Sequence, residues 1–235
     1  DEMVYDMLSS EGTIASSGPT GYLLRDPGMP LDNLSNTLNV FLGANVACAQ
    51  CHDHPLADWT QREFYELAAF FGATDVSDRD PRKVGNRLKN ADISKQDVIK
   101  AVAPNMARVH TKSTQSLKFP DDYAYDDVKP GSPVEPLLFV WESGDEKGPA
   151  YQVDHKNTKT LRASFAKWLT HEKNPRFPVA IANRLWQRAF GLGVKEPLDD
   201  LDDLSKSANP ALLALLGQIM IKSDFDLREF QRVLF

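Results

Sequence analysis

The residues of this chain with the most evident chemistry are Cys48, Cys51 and His52, spaced C-x-x-C-H. Thiols separated by two residues lie on one side of a helical turn, where each can form a thioether with one vinyl group of a haem. A histidine directly behind the second thiol then stands beneath the iron as axial ligand. A dithiol redox pair has no use for a histidine at that position. The chain holds 2 cysteines, so neither has a disulfide partner elsewhere. The expected cofactor is therefore one covalent haem c on Cys48, Cys51 and His52, with His52 as the metal ligand. Two other readings stay open: an unmetallated thiol pair, and zinc, for which Cys48, Cys51, His52 and His54 supply four suitable donors. Against zinc, all four crowd into one short segment and neighbours such as Cys51 and His52 diverge, whereas structural zinc sites join two separated pairs.

Such a haem would carry single electrons, which makes the chain an electron-transfer protein rather than a catalyst. A second axial ligand would come from His110, Met106 or His155, with His171, Met3, Met7, Met29 and Met220 as further candidates. A vacant sixth position would instead permit ligand binding or peroxide chemistry.

The elements that must position the motif are legible on either side of it. From Asp32 or Asn33 as N-cap, Leu34, Leu38, Phe41 and Leu42 fall on one helical face, and this helix delivers the chain to Gly43 and the cysteines. Behind the motif, Pro55 rules out a simple continuation of helix. Thr60 and Glu63 then form a capping box, and Phe64, Leu67, Ala68 and Phe71 make an apolar stripe closed by Gly72. Trp59, Phe64, Phe70 and Phe71 would wall a porphyrin or simply fill a core.

Elsewhere, Met3, Val4, Met7 and Leu8 mark a short helix, followed by an irregular lead-in broken by glycines and prolines up to Pro30. Residues 74–92 read as a solvated loop, and a modest helix is expected over Asp92 to Val102. Ser116–Pro120 and Val134–Trp141 have strand-like composition, so the middle third would hold a small sheet or extended loops. Asp121, Asp122, Asp126 and Asp127 read as a solvated acidic turn, because they lack the glycine and glutamate spacing of a calcium loop. A change of composition at Gly144 to Gly148 divides the chain into residues 1–143 and 149–235.

Beyond that boundary the pattern is helical, with stripes Leu161/Phe165/Trp168/Leu169, Val179/Ala182/Trp186/Phe190, Leu212/Leu215/Leu216/Ile219 and Leu227/Phe230/Leu234. Gly191 ends the second, Asn209 and Pro210 open the third, and Asp226 opens the fourth. The expected fold class is mostly α: a helical, haem-carrying N-terminal part, an irregular or small β middle segment, and a helical C-terminal domain. Phe235 falls inside its helical pattern, so that domain is expected to be truncated.

The 235 residues, 42% of them hydrophobic, suffice for a substantial core, and no apolar run reaches bilayer-spanning length. A net charge of −6 disfavours nucleic acid as a partner, because the phosphate backbone would be repelled. Asp1 does not look like a native start, which suggests a processed or excised segment. Covalent haem attachment takes place outside the cytoplasm, so a haem reading implies export to the periplasm or cell exterior.

The stretch Phe41 to Pro55, followed by Trp59-Thr60-Gln61-Arg62-Glu63-Phe64-Tyr65 and Ala68-Ala69-Phe70-Phe71, resembles the planctomycete-type cytochrome c domain of large exported bacterial proteins. Phe119 to Gly131 is similar to a segment these proteins carry farther along. The last third resembles the domain of unknown function that follows, through Trp168-Leu169-Thr170, Asn174-Pro175-Arg176-Phe177, Asn183-Arg184-Leu185-Trp186, Phe190 to Gly193 and Glu196 to Asp200.

The resemblance implies an exported protein with a haem-attachment motif at Cys48, Cys51 and His52. The expected partner is a redox protein or a larger protein assembly. The family brings no settled activity with it. Two other classes therefore stand beside electron transfer. One is an extracellular structural or scaffold subunit. The other is a hydrolase built from Asn183, Arg184, Asp199, Asp200, Asp202 and Asp203, although charge runs are usually solvated faces.

Overall fold

The computed structural model describes residues 1–77, 86, 97–98, 100–101, 106–140 and 148–235. Among them are seven α-helices and a three-stranded antiparallel sheet. Helix α1 (Glu2–Ser9) is capped by the Asp1 carboxylate and buries Val4 and Leu8. Helix α2 (Pro30–Leu42) starts earlier than its apolar spacing suggests. Pro30, which reads as a breaker, instead occupies the first turn, where its missing N–H costs nothing and its fixed φ suits the helix. Asn33 is not the cap: it is buried, and its Nδ2 donates to the carbonyls of Asp26 (2.8 Å) and Met29 (3.2 Å). Leu34, Leu38, Phe41 and Leu42 face inward as their spacing requires.

Helix α3 (Gln61–Ala68) opens with the complete capping box, in which Glu63 N donates to Thr60 Oγ1 at 3.1 Å and Thr60 N to Glu63 Oε2 at 2.9 Å. A 3₁₀ turn over Ala69–Phe71 carries the stripe onward to Gly72. That glycine is required by space rather than by backbone angle, since a Cβ there would lie 2.7 Å from Leu117 N.

The sheet is not built from the two segments of strand-like composition. Its order is β1 (Gly12–Thr13), β3 (Arg108–Thr111), β2 (Thr74–Ser77), with Gly12 opposite Val109 and Asp75 opposite His110. Strands of two to four residues are too short to show a two-residue alternation. So β2 lies within a stretch that reads as solvated loop. Of the expected segments, 116–120 forms only a single bridge, Lys118 to Pro133, while 134–140 has no regular secondary structure and buries Val134 and Leu138. Trp141 and most of the helix expected at 92–102 lie outside the described residues.

The C-terminal third forms α4 (Leu161–Leu169), α5 (Phe177–Phe190), α6 (Pro210–Lys222) and α7 (Leu227–Leu234). Of the boundary segment 144–148 only Gly148 is described. One hydrophobic cluster runs from Val4 and Leu8 through α2 and α3 to Phe165, Trp168 and Phe177. The Phe165 ring lies 5.1 Å from that of Phe71 and 5.7 Å from that of Phe70. Phe64, Phe70 and Phe71 are therefore core and not a porphyrin wall. Arg162, itself buried, ties α4 to the end of α1 by donating from Nη1 to the carbonyls of Leu8 (3.0 Å) and Ser10 (2.9 Å) and from Nη2 to Glu11.

A second cluster fills the space between α5, α6 and α7. There α6 buries Leu213, Leu216, Gly217 and Met220 instead of the stripe through Leu212, Leu215 and Ile219. The helix is apolar almost all round, so periodicity alone cannot choose its inner face. Gly217 chooses it, because a Cβ there would stand 2.8 Å from Val179 Cγ2 of the adjacent helix. In α5, Val179 and Ala182 are buried, but Phe190 is half exposed. No helix among the described residues is long and apolar enough to cross a membrane.

Two outcomes follow for stability. Phe165→Ala should cost about 3–5 kcal/mol in a urea titration, since it empties the centre of the larger cluster. Asp226 caps α7 by accepting from the Glu229 and Arg228 amides, which hold its carboxyl below the usual carboxylate range. A carboxyl lowered in the folded state contributes stability that is complete above its unfolded value and lost as pH falls through the folded one. The protection factors of the α7 amides, which remove the intrinsic pH dependence of exchange, should accordingly fall on acidification below the ordinary carboxylate range, and Asp226→Asn, which keeps the cap, should flatten that dependence.

Candidate functional site

The motif is launched from the C-terminus of α2, whose last carbonyls have no amides of their own helix to accept from. Arg184 of α5 supplies the missing donors, Nη2 to Asn39 O at 2.8 Å and Nε to Val40 O at 3.0 Å. Burial lowers the pKa of this guanidinium, and Asp199 opposes the shift. Gly43 then turns the chain with φ +57°, and its carbonyl accepts from Leu201 N at 2.8 Å. A Cβ at Gly43 would meet Leu201 Cγ at 2.5 Å. The next residue, Ala44, pairs with Asp200.

Ala47–Gln50 form a 3₁₀ turn. Val46 and Ala49 are fully buried beneath it, while Cys48 and Cys51 are exposed, free thiols. The turn closes through Cys51 N and His52 N, which donate to Cys48 O at 3.2 and 3.4 Å. Side chains from α3 hold it from inside: Gln61 Nε2 donates to Gln50 O at 3.1 Å, and the Tyr65 hydroxyl reaches the same oxygen at 3.4 Å. The Tyr65 phenol is pushed up by burial, with a smaller contribution from Cys51.

His52 is exposed, and its Nδ1 lies 2.7 Å from Asp53 O. A carbonyl only accepts, so Nδ1 carries the proton and Nε2 presents its lone pair. His54 has the opposite assignment: its Nδ1 accepts from Leu56 N at 3.2 Å, and its own amide donates to Trp59 O at 2.7 Å. It therefore closes the 54–59 turn. Cys48, Cys51, His52 and His54 do not form a metal-holding group, and no group of three or more histidine, cysteine or acidic side chains does so among the described residues. What the arrangement offers is two exposed, unbonded thiols and one imidazole nitrogen with a free lone pair on the outer face of a turn.

Asp53 is held at both ends, its amide donating to the Tyr125 hydroxyl at 2.8 Å and its Oδ1 accepting from Gln61 N at 2.8 Å. Beside it opens a cavity of ≈ 530 Å³ lined by Arg62, Glu63, Tyr123, Tyr125, Asp126 and Leu137 among others. Asp127, one of the four acidic residues of this segment, accepts from the Tyr123 hydroxyl at 3.0 Å and lies 3.5 Å from Arg62. Burial, and then Asp127 as acceptor, push the Tyr123 phenol up.

The candidates for a second axial ligand are dispersed. His110 faces Asp75 across the β2–β3 ladder at 3.6 Å, and His155 lies 3.6 Å from Glu135. His171 Nδ1 accepts from Lys173 N, Met220 is buried in the second cluster, Met106 and Met7 are partly buried, and Met3 and Met29 are exposed.

The residues of the hydrolase reading are each engaged in building this framework. Asn183, buried, binds the backbone of Val194 and Lys195, and Asp199 accepts from Asn39. Asp200 pairs with Lys195 and Asp202 with Arg176, while Asp203 caps the 204–206 turn. Sequence reasoning missed Gln61, Tyr65 and Tyr125, the side chains that hold the motif. Gln61 sits inside the capping box and Tyr125 inside the acidic segment, where local features absorb attention.

Residues 27–76 match the family model PSCyt2, described as a protein of unknown function (DUF1549), and residues 161–235 match PSD1, described as a protein of unknown function (DUF1553). No curated protein and no solved structure matches the chain. Taken in chain order, the two segments are similar to the planctomycete cytochrome-c-associated domain pair.

Proposed function

We propose that this protein is an exported, c-type cytochrome-like electron carrier with one haem attached through Cys48 and Cys51 and ligated by His52. The observation that carries this reading is the pairing of two exposed, unbonded thiols on one turn with an imidazole whose Nδ1 proton is given to Asp53 O. That bond leaves Nε2 as the ligating atom and fixes the ring's orientation, the role outer hydrogen bonds play for metal-bound histidines. The donor set thus fits a haem c: two thiols for the thioethers, one oriented nitrogen for the iron.

Bound there, the haem would supply one-electron iron chemistry. The chain's own part is to present the thiols to solvent, hold the imidazole in one tautomer and keep the turn fixed on a packed base of Val46 and Ala49. Zinc is less well served, since the four sulfur and nitrogen donors do not converge. A structural subunit is a second reading, favoured by the exposed rings of Phe190 and Phe235, 6.2 Å apart, with Leu192 and Val233 also exposed. The proposed redox partner, or a larger assembly, would in either case be protein.

Produced in a host that attaches haem outside the cytoplasm, the protein should give the α band of a thioether-linked haem in a pyridine haemochrome assay. Cys48→Ala and Cys51→Ala should each lose stable pigment. A colourless protein holding stoichiometric zinc would overturn the proposal. For the framework, Gly43→Ala should lower stability by about 2 kcal/mol or more in urea, through a left-handed backbone and a clash with Leu201. It should also increase alkylation of the two thiols in the haem-free chain.

A further inference from the structure

The segment 119–131 has no task in the haem reading, yet it is bonded to the motif through two side chains. The Tyr125 hydroxyl accepts from Asp53 N at 2.8 Å. Ala124 N donates to Gln61 Oε1 at 3.1 Å, while Gln61 Nε2 donates to Gln50 O at 3.1 Å and Gln61 N to Asp53 Oδ1 at 2.8 Å. Gln61 is only 1% exposed, and its amide uses both ends. Asp53 is consequently fixed at its amide by Tyr125 and at its carboxylate by Gln61. Its carbonyl oxygen is the atom that accepts from His52 Nδ1 at 2.7 Å.

We propose that Tyr125 is a positioning residue that sets the tautomer and orientation of the His52 imidazole by immobilising Asp53, together with the backbone amide of Gln61. A neutral imidazole free in water favours the proton on Nε2, the atom that would have to ligate. Here an exposed loop holds the other tautomer, which requires the accepting carbonyl to stay where it is. Backbone in a solvated loop does not stay fixed by itself. Tyr125 and Gln61 restrain it from two directions, and each reaches it from an element other than the motif's own. The consequence for a haem rests on the reading given above; the consequence for the imidazole does not.

Tyr125→Phe is the sharp test, because it keeps the ring against Tyr123, 5.9 Å away, and removes only the acceptor oxygen. In the haem-free chain, at a pH well above the ordinary histidine range of about 6.5, long-range ¹H–¹⁵N correlation reads the tautomer of His52 directly. The native chain should show mainly Nδ1–H. Tyr125→Phe should move the tautomer ratio toward Nε2–H by about fivefold, the change that one hydrogen bond of ordinary net strength sets.

In the haem-loaded protein Tyr125→Phe should shift the midpoint potential while leaving the α band in place. A native His52 that is mainly Nε2–H, or a ratio unchanged in Tyr125→Phe, overturns the proposal. A chain that shows the tautomer shift but never takes up haem keeps the positioning role and discards the haem reading.

Discussion

The site depends on how one helix ends. An α-helix leaves its final carbonyls without amide partners, and burying them unpaired is costly. At the end of α2 the donors come from a residue about 145 positions away in the chain, Arg184. Its guanidinium can serve two carbonyls at once because its donors form a rigid fork. Gly43 completes the stop with a left-handed backbone and no side chain, letting Leu201 close over it. The direction in which the chain leaves α2, and so the place where Cys48, Cys51 and His52 appear, is set by contacts made on both sides of the molecule.

Within the motif the alternation of burial matters as much as the residue types. Val46 and Ala49 anchor the turn in the core, and the residues with reactive side chains are those that face outward. Gln61 and Tyr65 press upward from α3 on the single carbonyl of Gln50. A turn built this way is held by its backbone and small apolar residues, leaving the sulfur atoms and one imidazole nitrogen uncommitted. The acidic segment that follows is not a separate feature. Through Tyr123, Asp127 and Arg62 it is fastened to the same helix that supports the turn.

Much of this was readable from residue order, and the failures have physical causes. The capping box at Thr60 and Glu63, the stripe of α4, the Asn209–Pro210 start and the glycine stop at Gly191 are local signals, settled by residues a few positions apart, and each appears as expected. Pro30 misled because the same ring that breaks a helix interior favours a helix start. The inner face of α6 was invisible to periodicity since leucine and isoleucine surround the helix, and only its neighbour Val179 selects Gly217. The sheet joins residues 12–13, 74–77 and 108–111, a non-local pairing of short strands that composition does not mark. The motif itself was plain, but its supports were not: Gln61 and Tyr125 act over 8 and 72 residues, through single hydrogen bonds that no spacing rule encodes.

The interlocking of the two matched segments bears on inheritance. Arg162 and Arg184 belong to the DUF1553 segment, while the carbonyls they satisfy lie before and within the DUF1549 segment, at Leu8 and Ser10 and at Asn39 and Val40. Phe165 and Trp168 complete a core begun by the other half. A gene rearrangement that parted them would leave guanidinium groups without acceptors on one fragment and an open apolar face on the other. Neither piece closes the larger core alone, so each would leave uncovered the apolar surface that the other buries.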